Sequence, residues 1–245
     1  MTRFRVGLLL VVLFLFVVLC RLPLAWCTGL LPANAACEEP AGTVWSGSCA
    51  RLRVAGWTVR NVSWSWLPAA LLSGRLGARV QVRDQALEGN GAVRFGAGGA
   101  LQLDDLALRL ALPSALLPAL PAGWRGTLQL EVPELTRSGD ALEVAAGTAT
   151  LLDLRQGAPG VALGSFDWRF TASPGAAGQV RGPLSDQGGP VRLQGTLMVG
   201  RKGEYDLAAR LSPGPAASAA VRQLLDGLGA ADAQGVHTLA FTGSL

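Results

Sequence analysis

Histidine and tyrosine occur once each in the 245 residues, and that scarcity removes most catalytic chemistry at the outset. No metal site can draw on a histidine pair, and any nucleophilic triad would have to recruit His237 from near the C-terminus. On a strand such a residue is expected to be structural. The elbow pattern G-x-S-x-G is missing, Gly47-Ser48-Cys49-Ala50 lacking its frame, and Gly96-Ala97-Gly98-Gly99 is not followed by the third glycine of a dinucleotide loop. Asp104 and Asp105 are neighbours, so on a strand they point to opposite faces and read as a polar break between apolar runs. The chain is therefore expected to be no enzyme and to hold no metal or cofactor. Charge is also sparse: 16% of residues, 21 basic against 17 acidic, with scattered arginines, which argues against a nucleic-acid partner. The four cysteines form no C-x-x-C, which excludes a zinc ribbon or dithiol redox motif. Cys20 and Cys27 lie in or beside an apolar N-terminal run. Cys37 and Cys49 either pair across a short loop, a staple of about 3 kcal/mol in the chain-entropy model, or remain two small hydrophobes.

What is present is apolar and punctuated. Half of the residues are hydrophobic, and 32 glycines and 14 prolines argue against a helical bundle. Arg3 and Arg5 precede Val6 to Cys20, fifteen uncharged residues. As a helix at ~1.5 Å per residue this run falls short of a ~30 Å hydrocarbon core. Continuing through Arg21, snorkelling to the far headgroups, to Trp26 in the interface belt supplies the length. The expected organisation is a cytoplasmic tail at 1–5, a transmembrane anchor at 6–26, a linker at 27–40 and an exported domain at 41–245. Ala33-Asn34-Ala35 has the A-x-A form of a signal-peptide cleavage site, a competing reading in which the segment is removed. Both readings export the bulk of the chain.

Beyond Pro40 the apolar residues alternate with period two. Phase slips at Ala55-Gly56 and Arg60-Asn61 suggest bulges or turns between short strands, with Val62, Trp64 and Trp66 on one face. Pro68 to Gly74 reads as a one- or two-turn helix. Leu76, Ala78, Val80 and Val82 then share a face, as do Leu106 to Leu112 taken alternately, Leu128 with Leu130 and Val132, and Phe166 with Trp168 and Phe170. Val191 to Leu211 reads as a hairpin turning at Gly200 to Gly203. Ser114 to Trp124 reads as a proline-broken turn. Ala217 to Gly229 reads as an amphipathic helix carrying Val221, Leu224, Leu225 and Leu228, and Val236 to Phe241 as a closing strand. The fold class expected is mainly β: one antiparallel curved meander, sandwich or trough, with two or three short helices after one transmembrane helix.

The residues also resemble a family. Gly42-Thr43-Val44-Trp45-Ser46-Gly47-Ser48, Trp64-Ser65-Trp66-Leu67-Pro68-Ala69-Ala70-Leu71-Leu72, Gly74-Arg75-Leu76, Leu120 to Gly126, Leu184 to Gly203 and Tyr205-Asp206-Leu207 follow the order of type II secretion system protein N. The resemblance implies a bitopic inner-membrane protein of Gram-negative bacteria with a β-rich periplasmic domain. It implies an accessory role in exporting folded proteins across the outer membrane. Partners would be inner-membrane platform proteins and the secretin, with lipid met through the anchor. It carries over no catalytic residues. Trp45, Trp57, Trp64, Trp66, Trp124 and Trp168 are then core anchors or a partner-facing surface. The alternative function is a periplasmic lipid-handling module, since an apolar sheet face left open can cradle acyl chains.

Overall fold

The computed structural model describes residues 10, 14, 17–18, 21–27, 35–54, 57–112, 123–138, 141–157, 160–172, 178–200 and 203–244. Thirteen strands hydrogen-bond in sequence order into one antiparallel sheet. They are β1 Ala35–Gly42, β2 Ser46–Val54, β3 Trp57–Trp66, β4 Leu76–Arg83, β5 Leu87–Phe95, β6 Leu101–Leu112 and β7 Trp124–Ser138, then β8 Ala141–Gln156, β9 Val161–Ala172, β10 Val180–Asp186, β11 Val191–Val199, β12 Glu204–Pro213 and β13 His237–Ser244. Because each strand pairs with the next, the meander needs no crossover, and period-two alternation sorts every side chain to one of two faces.

Register makes that sorting continuous. Pro40, Cys49, Val62 and Val82 lie side by side across β1 to β4, followed by Gly89, Leu108, Leu130 and Ala149 across β5 to β8. Trp168, Leu184, Gly195, Ala209 and Leu239 complete the row across β9 to β13. This row crosses the whole sheet without one charged side chain, about 58 Å along the sheet at ~4.8 Å per strand. One residue over, the opposite face is polar, with Gln129, Thr150, Asp167, Ser185, Gln194, Arg210 and Thr238 aligned across β7 to β13.

The phase slips have a backbone cause. Asn61, Asp105 and Asp153 sit inside strands with φ near +50°, the left-handed region that asparagine and aspartate tolerate best among residues with a side chain. Asn61 is held there by its amide donating to the Arg83 carbonyl at 3.2 Å. The slip expected to separate two strands at Arg60-Asn61 therefore lies within the single strand β3. The slip expected at Ala55-Gly56 lies outside the described residues.

Two short helices matter to the packing. Pro68–Ser73 is a 3-10 helix with Pro at its start and Gly74 closing it at φ 68°, donating to Ala70 and Leu71. Ala219–Asp226, called α2 here after the four-residue α1 Leu24–Cys27, is capped by Ser218, whose hydroxyl accepts from the Val221 N–H at 3.3 Å. Val221 and Leu225, one turn apart, are each 1% exposed. They close a cluster with Leu154, Leu163, Phe166, Val191, Leu193 and Ala209, so the main core lies between α2 and the sheet of β8 to β12.

Some expectations need correction. Strand β1 begins at Ala35, inside the stretch whose prolines suggested linker, because hydrogen bonding to β2 can be satisfied at an edge despite Pro40. Leu76 is 58% exposed and does not share the half-buried environment of Ala78, Val80 and Val82. Most of 6–26, with Arg3 and Arg5, lies outside the described residues, as does most of Ser114 to Trp124. Among the described residues no helix is long and apolar enough to cross a membrane.

Candidate functional site

The apolar face of the second half of the sheet forms a cavity. It has a volume of about 570 Å³ and takes its lining from β7 to β13 below and from Leu224, Leu225 and Leu228 around α2 above. Nineteen of its twenty lining residues are apolar; Gln156, at the end of β8, is the exception. Leu128, Leu151, Leu184, Leu197, Leu207 and Leu239 remain half-buried, which separates this trough from a filled two-sheet core. Glycines bend its wall: Gly164 has φ 112°, and a Cβ on Gly189 would meet Gly164 Cα at 2.9 Å, so the turn before β11 approaches β9 over the short β10. That close approach requires both positions to lack side chains.

Sequence reasoning grouped six tryptophans, and the structure divides them. Trp124 and Trp168 line the trough, Trp168 donating from Nε1 to the Leu197 carbonyl at 3.2 Å and lying 4.6 Å from Phe170 between ring centroids. Trp45 and Trp66 pack together at the other end, 4.7 Å between centroids, while Trp64 donates from Nε1 to the Val44 carbonyl at 2.9 Å. A Cβ on Gly47 would meet the Trp64 ring at 2.9 Å, so glycine there is what lets the indole lie flat on β2. Trp66 Nε1 is buried without an acceptor. Trp57 is 42% exposed at the start of β3, opposite Val54, and is no core anchor. Trp26 is 76% exposed on α1.

Cys37 and Cys49 are joined by a disulfide, with Cα atoms 5.6 Å apart, across the β1–β2 hairpin. On the same hairpin Glu38 accepts from Arg51 at 2.5 Å and from Arg53 at 3.1 Å, ion pairs exposed enough to contribute little each. Leu22 and Pro23, at the end of the expected anchor, meet the β1–β2 turn: the Val44 N–H donates to the Leu22 carbonyl at 3.1 Å, and Pro23 bridges Thr43.

The two sheet edges differ in chemistry. The outer strand β1 carries Glu38, Glu39 and Pro40, with Glu39 at φ 53°, devices that discourage a further strand. The outer strand β13 reads His-Thr-Leu-Ala-Phe-Thr-Gly-Ser, without carboxylate, lysine, arginine or proline, and Phe241 is 50% exposed on it. Among the described residues β13 pairs with β12 alone.

His237 is 4% exposed, its Nδ1 hydrogen-bonded to the Gly229 carbonyl at 2.9 Å and its Nε2 4.0 Å from Asp226. It ties the loop after α2 to β13, a structural position. Asp104 pairs with Arg94 and accepts from Gln102 at 2.8 Å, while Asp105 is exposed. No group of three or more histidines, cysteines or carboxylates with metal-holding geometry occurs among the described residues. One carboxylate is strongly held. Burial of Asp186, its side chain 8% exposed, opposes ionisation, but the Leu193 and Gly188 N–H groups, both at 2.9 Å, and the Arg192 guanidinium outweigh it. The pKa lies below the usual aspartate value. This network pins the turn between β10 and β11, and no local sequence signal announced it.

The family model for protein N of the type II secretion system (T2SS) matches residues 33–240, from just before β1 into β13. A curated relative, "Type II secretion system protein N" of Pectobacterium carotovorum subsp. carotovorum, is 26% identical over 227 residues, covering 88% of this chain and 86% of the relative. No solved structure matches the chain. With the match running through the hairpin of the disulfide, the tryptophan cluster and the trough alike, this chain belongs to the type II secretion system protein N family.

Proposed function

We propose that this chain is an accessory, structural component of the type II secretion system that acts by protein–protein contact, without bond-making, to support export of folded proteins across the outer membrane. Residues 6–26 hold it in the inner membrane. Residues 1–5 face the cytoplasm, directed there by Arg3 and Arg5, and the sheet stands in the periplasm. Arg21 and Trp26 mark the outer interface, and the contacts of Leu22 and Pro23 with Thr43 and Val44 tie the end of the anchor to the first hairpin.

The observation that supports contact as the mode of action is the asymmetry of the edges. An unpaired strand offers a row of backbone donors and acceptors, and strand addition is a common way to use one. Strand β1 is blunted by acidic residues and proline, whereas β13, twelve strands further from the anchor, is not. The partners are other subunits of the system, the inner-membrane platform proteins and the secretin.

A photoreactive amino acid placed at Thr242 in β13, with a matching one at Glu38 in β1, tests this in cells. The β13 probe is expected to form adducts containing a secretion-system subunit, and the β1 probe far fewer. Undiminished secretion of every exported enzyme by a deletion strain, with no subunit adduct from β13, refutes the proposal.

A further inference from the structure

Beyond the secretion role, and independently of it, we propose that the trough beneath α2 is a binding site for one long acyl chain, with a hydrogen-bond donor of the guest meeting Gln156. Volume and shape carry the first half. A cavity of about 570 Å³ falls in the range of true ligand pockets, which are mostly apolar with few polar groups that fix orientation. Its lining spans seven consecutive strands, about 29 Å along the sheet at ~4.8 Å per step. Along β8 the same lining runs from Ala149 to Gln156, so the cavity is a broad, partly open trough whose apolar floor accommodates an extended hydrocarbon chain.

The occupant is argued from what the cavity offers. No charged side chain lines it, so an ionic or sugar ligand would lose its hydration without compensation. An aliphatic chain loses nothing. Gln156 is the single polar residue of the lining, and its Oε1 is shut off from solvent without a hydrogen-bond donor. Buried amide oxygens are rarely left so, and a hydroxyl or protonated carboxyl at the head of a chain supplies the missing donor. Gln156 faces Trp124 across the β7–β8 register, which places the polar contact at the β7 end of the trough and leaves the length toward β13 to the hydrocarbon. The cross-sheet row continues the apolar surface beyond the trough from β6 to β1, so the site opens onto apolar surface.

A free fatty acid, protonated at its head, supplies that donor, whereas an acyl chain esterified in a phospholipid ends in a carbonyl and does not, and competition separates the two. The full-length protein is held in amphipol, cis-parinaric acid is the probe, and energy transfer from the seven tryptophans, of which Trp124 and Trp168 line the trough, is the signal. Saturable one-to-one transfer displaced by palmitic acid is expected; displacement by phosphatidylethanolamine alone would place an esterified chain in the trough and overturn the contact at Gln156. Ala149→Phe, which fills the floor, is expected to weaken binding at least tenfold, with Ala209→Leu as a second filling variant should the first not fold. Ala208→Phe, on the opposite face, is expected to leave binding unchanged. Gln156→Leu is expected to weaken palmitic acid about tenfold while leaving hexadecane unaffected, the loss of one hydrogen bond. Transfer that does not saturate, or that persists undiminished in folded filling variants, overturns the proposal.

Discussion

Truncating Leu225 to alanine tests how the trough is roofed. The helix α2 has eight residues, too few to be stable alone in water, so its docking rests on Val221 and Leu225. Leu225 is 1% exposed and packs in the cluster of Leu154, Phe166, Leu193 and Ala209. Leu→Ala substitutions at such sites cost about 2–5 kcal/mol, the spread reflecting how much void remains. Leu225 also borders an existing cavity, so its side chain has fewer neighbours on that side to lose, and the expected cost is about 2–3 kcal/mol. Leu228→Ala serves as the control, because that side chain is 41% exposed and its truncation is expected to cost under about 1 kcal/mol. Urea unfolding of the full-length protein gives the global value. Hydrogen exchange resolves where it acts: amides of 219–226 are expected to lose protection first, ahead of β9 to β12. A loss under about 1 kcal/mol for Leu225→Ala, with exchange in α2 unchanged, would show that the helix is not held by this contact.

Asp186 makes the fold acid-sensitive in a calculable direction. Its folded pKa is depressed, so its contribution is fully present above the unfolded value of 3.8 and is lost as pH falls through the lower folded value; Asp186→Asn should flatten the acid limb of a melting-temperature profile below pH 4 and lower stability at pH 7. Cys37→Ser with Cys49→Ser is expected to destabilise the first hairpin by about 3 kcal/mol, read as faster proteolysis within 35–54 while β8 to β12 stay intact. Gly182→Ala should disrupt the β9–β10 pairing, because a Cβ there would collide with the Arg169 carbonyl; a loss of about 1–3 kcal/mol or more by thermal unfolding is expected, and a neutral result would refute that registry.

The amino-acid sequence alone determined the class of fold and the division of its faces. Alternation at Leu128, Leu130 and Val132, or at Phe166, Trp168 and Phe170, demands a sheet with one apolar face, since successive side chains on a strand must point to opposite sides. The hairpin at Gly200 to Gly203, the helix holding Val221 and Leu225, and the family itself were likewise legible, because each rests on a local pattern of turn residues, spacing or motif order. Strand β1 was not: its residues lack strong strand character and are held by pairing with β2. Nor was the trough. Which residues of distant strands share one row depends on register, and register depends on the irregularities around Asp105 and Asp153 and on the close approach of Gly164 and Gly189. Those are interactions between segments far apart in the chain. Only the tertiary structure, by setting strand against strand, decided that thirteen separate apolar positions form one continuous surface, that α2 covers just part of it, and that Gln156 is the polar residue left inside.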